Sequence, residues 1–145
     1  MKTLLIKNAS HILTMDDKEN ELTNSSIFCR SGVIEWVGDY KNLKEKADHT
    51  IDAKDLIVIP GLVNTHHHLF QNLTRVYPQA QDKPLFGWLT TLYPIWQKII
   101  PSDIYISSLI GMAEMVLTGC TTTSDHQYLF PNGSKLEDQI EAAKL

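Results

Sequence analysis

Pro60-Gly61-Leu62-Val63-Asn64-Thr65-His66-His67-His68-Leu69 is the stretch on which the reading of this chain turns. A proline–glycine pair punctuates the chain, four residues of strand character follow, and three histidines come directly after them. Along a strand successive side chains face opposite sides, so His66 and His68 project together while His67 points away. Two imidazoles from one strand end can converge on one divalent metal, with bonds of roughly 2.0–2.1 Å for zinc. The stiff apolar residues before them suit the task of holding such ligands. Three adjacent histidines also occur as surface tracts, and the triplet alone leaves both readings open.

Downstream, Phe86 to Ile100 is rich in aromatic and aliphatic residues, including Trp88, Tyr93 and Trp96, and Pro94 and Pro101 are expected to limit any helix there. Ser102-Asp103 reads as a helix start ahead of Ile104, Ile106, Leu109, Ile110, Met112, Ala113, Val116 and Leu117, and Gly119 as its C-terminal glycine. Cys120 to His126 is a β-branched strand with polar last residues. Pro131-Asn132-Gly133-Ser134 is a turn and cap before an amphipathic helix carrying Leu136, Ile140 and Ala143. Strand, helical stretch, helix, strand, helix is the order of a parallel α/β sheet, and α/β is the expected fold class. Two parallel strands cannot close or cover a sheet, and the last helix stops without a cap. The chain is therefore expected to be an amino-terminal fragment of a larger enzyme, with a complete small domain as the alternative. Leu56–Ile59 and the helix face carrying Ile106, Leu109, Ile110 and Val116 are then expected to lack partners and to favour aggregation.

Upstream, Leu4-Leu5-Ile6-Lys7 and His11-Ile12-Leu13-Thr14 read as short strands, with a turn at Asp16 to Asn20. Ser26 to Arg30 and Val33 to Gly38 read as a hairpin about Ser31-Gly32. Lys41 to Lys46 is a charged, solvated helix or loop. Ile51-Asp52-Ala53 and Asp55 to Ile59 follow, the latter a continuous apolar run of the kind that suits a sheet buried on both faces.

The 145 residues are 43% hydrophobic and 21% charged, which excludes disorder. A net charge of −4 argues against nucleic acid as a partner. No apolar run approaches the roughly 20 residues of a membrane span, and the amino terminus is too short in apolar character for a signal peptide. Cys29 and Cys120 make no disulfide framework and read as small packing groups, so a reducing cytoplasm is the expected location. His11 and His49 read as surface residues, Asp103 and Glu114 as solvated helix charges, and His126 as a hydrogen-bonded strand-end histidine.

The segment Pro60 to Leu69 resembles the strand-one signature of the amidohydrolase superfamily, PG(L/F)(V/I)(N/D)xHxH. Gly119-Cys120-Thr121-Thr122-Thr123-Ser124-Asp125 resembles that superfamily's second-strand segment, and the amino-terminal strands look like its small β-sandwich domain. The resemblance implies residues 1–58 in a composite β-sandwich, and residues 59–145 as the first two βα units of a truncated (β/α)8 TIM barrel. It implies one divalent metal, zinc, held by His66 and His68, with the remaining ligands and the proton-transfer residues beyond Leu145. The fragment alone is then expected to be inactive.

Within the superfamily, His66-x-His68-x-x-Gln71 is similar to guanine-deaminase-like enzymes, in which the glutamine amide contacts the purine. An amide carries donors and an acceptor and can read a ring edge that has both. A solvated loop residue is the alternative for Gln71. Leu85-Phe86-Gly87-Trp88-Leu89 resembles the aromatic segment at the pocket mouth, which makes Trp88 a substrate wall or else a core or interface tryptophan. The runs Gln71 to Arg75 and Ser124 to Pro131 look most like 8-oxoguanine deaminases, which convert 8-oxoguanine to urate and ammonia. Guanine deaminases and hydroxyatrazine or other triazine aminohydrolases are the neighbouring alternatives. The implied partner is a small purine or triazine, with no nucleic acid and no membrane, and homo-oligomers of the full-length enzyme are an open option. A reading of another class is a non-catalytic metal-binding or assembly module.

Overall fold

Eleven residues, Thr3–Leu13, form one continuous strand (β1) where two short ones were expected. The junction is Asn8, whose backbone enters the left-handed region at φ 63° while the register with the neighbouring strand shifts between Ile6 and Ala9. Asparagine tolerates that conformation, and the resulting bulge lets the strand bend without ending. Glu21–Arg30 (β2) pairs antiparallel with β1, and Val33–Gly38 (β3) pairs antiparallel with β2. The connection between them is Ser31-Gly32, both with positive φ, as a tight hairpin requires. His49–Asp52 (β4) and Ile57–Val58 (β5) run parallel to β1 on its other edge. Ala9, Ile12, Ile27 and Ala53 make the core of this sheet.

The computed structural model describes residues 2–145 and divides the chain into two units, Met1–Pro60 and Gly61–Leu145. One expectation for the first unit is corrected. Leu56–Ile59 is not buried on both faces: only two of its residues pair, at a sheet edge, and Ile57 is 64% exposed.

The second unit is built on two parallel strands, Leu62–Asn64 (β6) and Cys120–Thr123 (β7), with Leu62 opposite Cys120, Val63 opposite Thr122 and Asn64 opposite Thr123. Between them lie two helices, Leu85–Trp96 (α1) and Pro101–Leu117 (α2); Leu136–Ala142 (α3) follows β7. Pro94 lies inside α1 rather than limiting it: the helix runs on to Trp96, although the proline has no N–H to give to the Thr90 carbonyl one turn back. Helix α2 begins one residue earlier than Ser102, with Pro101 in its first turn and the Asp103 carboxylate accepting the Ile100 N–H at 3.1 Å. Gly119 ends it at φ 87°, as a C-terminal glycine should.

The core of this unit holds the segment that follows the histidines. A short 3-10 turn, Leu69–Thr74, drops Phe70 into a cluster with Leu92, Trp96, Ile99 and Ile104. Phe70 meets Trp96 edge to face at 5.4 Å, and the Trp96 indole N–H donates to Thr74 Oγ1 at 3.0 Å. The Ser107 hydroxyl, fully buried in α2, donates to the Leu69 carbonyl at 2.6 Å. Close approach of α2 to the turn depends on Gly111: a Cβ there would lie 2.1 Å from Asn72 Nδ2 and 2.9 Å from Leu69 Cδ2. Ile106, Ile110 and Val116 of α2 are exposed, as anticipated from the sequence. Among the described residues no helix is long and apolar enough to cross a membrane.

Replacing Gly111 with alanine should destabilise the fold by about 1–3 kcal/mol, because the new methyl group displaces Asn72 from its bond to the Ser107 carbonyl and presses on Leu69. Equilibrium denaturation of the variant checks this, and an unchanged midpoint would contradict it.

Candidate metal centre

Strand β6 stops at Asn64, and the three histidines follow beyond it, outside any regular element. Their path is fixed from the other strand. Past Thr123, the Ser124 N–H donates to the Asn64 carbonyl (2.9 Å) and the Ser124 hydroxyl to the Thr65 carbonyl (2.6 Å). The His126 N–H donates to the His67 carbonyl at 2.8 Å, and Asp125 Oδ1 accepts the Leu69 N–H at 2.6 Å. The parallel pairing is thus carried on by loop and side-chain bonds after both strands have ended.

On that track His66 and His68 turn their rings to the same place, with Nε2 of one 3.2 Å from Nε2 of the other. Two imidazoles each about 2.0–2.1 Å from a tetrahedral ion have their nitrogens ~3.3 Å apart, so the separation fits shared metal ligation. His68 Nδ1 lies 2.7 Å from the His126 carbonyl. A carbonyl only accepts, so His68 carries its proton on Nδ1 and Nε2 keeps its lone pair for a metal. His66 is placed by its own N–H, which donates to the Asn64 side-chain oxygen at 3.1 Å.

His67 has a different surrounding. Its Nδ1 is buried without a partner, and burial pushes its imidazole below the ordinary 6.5, against the opposing pull of the Asp125 carboxylate. His126, read from the sequence as a strand-end residue, brings its ring within 4.4 Å of the His66 ring as well as making its backbone bonds. Among the described residues no group of three or more His, Cys, Asp or Glu side chains is arranged to hold a metal. The cluster is a two-nitrogen site.

A cleft of about 320 Å³ opens beside these nitrogens, lined by the three histidines with Gln71, Asn72, Thr74, Arg75 and Trp88. Gln71 and Trp88 therefore stand at the same cleft as His66 and His68. Trp88 serves two ends at once, since it also packs on the core and meets Trp96 edge to face at 5.2 Å. Glu114, a solvated helix charge as expected, also pairs bidentately with Arg75 at 2.6 and 2.8 Å, which holds its carboxyl below the usual range. That partnership and the role of Tyr128, whose phenol oxygen accepts from Gln71 Nε2 at 2.8 Å, went unread in the sequence. Neither has a local spacing signal, because the partners lie far apart along the chain.

The amidohydrolase family matches residues 57–145, the span that contains both parallel strands and the histidine cluster. The chain belongs to the amidohydrolase family. An 8-oxoguanine deaminase of Pseudomonas aeruginosa is 40% identical over 110 residues, 76% of this chain and 24% of that protein. A 5'-deoxyadenosine deaminase of Methanosarcina acetivorans is 37% identical over 146 residues, all of this chain and 32% of the relative. Among solved structures, the zinc complex of an atrazine chlorohydrolase from Arthrobacter aurescens TC1 superposes with a TM-score of 0.88 at 30% identity, covering 97% of this chain and 33% of that one. The α/β class and the barrel family expected from the sequence are both found, and the chain spans about a quarter to a third of the length of these relatives.

Asp125→Ala should cost about 1–3 kcal/mol by leaving the buried Leu69 N–H without its acceptor, whereas Asp125→Asn, which keeps an oxygen at that place, should recover a large part of the loss. Denaturant midpoints of the two variants, with hydrogen exchange at the Leu69 amide, make the comparison. Equal losses in both would show that the acceptor role is not what matters.

Proposed function

We propose that the complete protein is a metal-dependent aminohydrolase that deaminates a purine-type ring, with 8-oxoguanine as the substrate and urate and ammonia as products. The observation that carries this reading is the convergence of two imidazole nitrogens, one with its tautomer fixed by a carbonyl, at the mouth of a cleft lined by an amide and an indole. His66 and His68 hold the metal. Zinc is favoured by the all-nitrogen donor pair and by the zinc found in the similar chlorohydrolase. Two ligands leave such an ion weakly held, so the complete protein supplies further ligands and the acid–base groups from elsewhere.

When bound, the ion supplies Lewis-acid activation of water at neutral pH. The net reaction adds water at the ring carbon bearing the exocyclic amine and breaks that carbon–nitrogen bond, so the amine leaves as ammonia and the ring gains a carbonyl. This chain's own part is to bind and orient. Gln71 offers its amide to the ring edge, and Trp88 closes one wall of the cleft against water. The choice of 8-oxoguanine is supported by the 40% identity with the Pseudomonas deaminase. A triazine substrate is the second reading, favoured by the TM-score of 0.88 with the chlorohydrolase.

His66→Ala and His68→Ala should each abolish turnover and empty the site of metal, read as zinc content by elemental analysis, as ammonia release from 8-oxoguanine and guanine, and as alkylamine release from hydroxyatrazine. Gln71→Ala should retain the metal and lose about 1–3 kcal/mol of discrimination, with the larger loss on guanine-type rings. Full metal content and activity in the histidine variants would refute the mechanism. Zinc binding without amine release from any of the three rings would instead favour a metal-binding module.

A further inference from the structure

Tyr128 comes from the segment after β7 and reaches across to the turn that carries Gln71. Its ring is clamped between two others: it meets Phe70, a buried core residue, edge to face at 5.3 Å, and His68 edge to face at 5.2 Å. The phenol oxygen therefore has a fixed place relative to both the ligand nitrogen of His68 and the core. It accepts one N–H of the Gln71 amide at 2.8 Å.

We infer that Tyr128 is a positioning residue for ring recognition: it fixes the Gln71 amide so that one N–H and the carbonyl oxygen remain to read a substrate edge with neighbouring acceptor and donor. An amide has two donor hydrogens and an acceptor oxygen, and the Tyr128 contact consumes one donor. What is left is one donor and one acceptor, the groups that a lactam edge such as that of an oxopurine calls for. A free glutamine amide could rotate and present two donors or a donor–acceptor pair to whatever ring entered. Tyr128 removes that freedom before the substrate arrives, and it does so from the same segment whose backbone fixes the His68 tautomer. Recognition and metal ligation are thereby held at one spacing. This inference rests on the reading that Gln71 contacts the ring.

The test uses the complete, metal-loaded protein with Tyr128→Phe, which keeps the ring packing against His68 and Phe70 and removes only the phenol oxygen. The expected result is a rise of about 5–10-fold in KM for 8-oxoguanine, a smaller change in kcat, and a matching loss in urate affinity by calorimetry, with zinc content unchanged. Tyr128→Phe combined with Gln71→Ala should be no worse than Gln71→Ala alone, because both remove the same interaction. Tyr128→Leu, which also loses the ring, should lower zinc content or stability, and recovery of those properties in Tyr128→Phe separates packing from positioning. If Tyr128→Phe leaves KM and urate affinity unchanged while Gln71→Ala weakens both, the inference fails and the Gln71 reading survives. If Gln71→Ala itself changes neither, the Gln71 reading fails and takes the inference with it. Additive losses in the double variant, or a loss of zinc and kcat together in Tyr128→Phe, would also overturn it.

Discussion

The carboxylate of Asp125 accepting the Leu69 N–H stands in the middle of a run of hydrogen bonds that joins Ser124–Tyr128 to Asn64–Gln71, and the candidate site depends on that run. Strands β6 and β7 are short, and a two-stranded parallel pair has little stability of its own. The bonds beyond their ends do what further ladder pairing would have done. They hold His66, His67 and His68 in place, so that the His66 and His68 rings turn to one point although no strand is present there. Each of these bonds uses a buried or half-buried partner, which raises the cost of breaking any one.

Below this track, the aromatic core sets the height of the turn that follows. Phe70, Trp96 and Leu92 are almost fully buried, and the Ser107 hydroxyl takes the Leu69 carbonyl that the turn leaves free. Helix α2 can come this near only because Gly111 has no side chain. The consequence is that Gln71, one turn past His68, and Trp88, on the first turn of α1, stand beside one cleft with the imidazoles. The histidines would present their nitrogens without the core, but the amide and the indole would not be alongside.

Polarity follows the same division. His67 is turned to a partly buried place and its Nδ1 is left without a partner, while His66 and His68 turn their Nε2 atoms to the cleft. Burial disfavours the charged imidazole of His67, and the neighbouring Arg75 is neutralised by Glu114. The cleft thus joins an amide, an indole and two imidazoles with a guanidinium whose charge is already balanced. That balance suits a neutral, flat, hydrogen-bonding ligand more than an anion.

The sequence by itself determined the alternation of strand and helix, and the pairing of His66 with His68, because each is set by local periodicity and by residues close together in the chain; the parallel order of Leu62–Asn64 and Cys120–Thr123 followed from that alternation. Glycine and proline punctuation told of the Ser31-Gly32 hairpin and the Gly119 helix end for the same reason. Local reading failed where a neighbour distant in sequence decided the outcome. Asn8 carries one strand through a bulge against β2 instead of ending it, and Leu56–Ile59 lies at a sheet edge where, among the described residues, it pairs with β1 alone. The Arg75–Glu114 pair, the His126 carbonyl on His68 and the Tyr128 phenol on Gln71 join residues 39, 58 and 57 positions apart. Only the packing of α2 and the post-β7 segment against the turn could bring them together, since a hydrogen bond demands a separation near 3 Å that no sequence spacing of that size can fix.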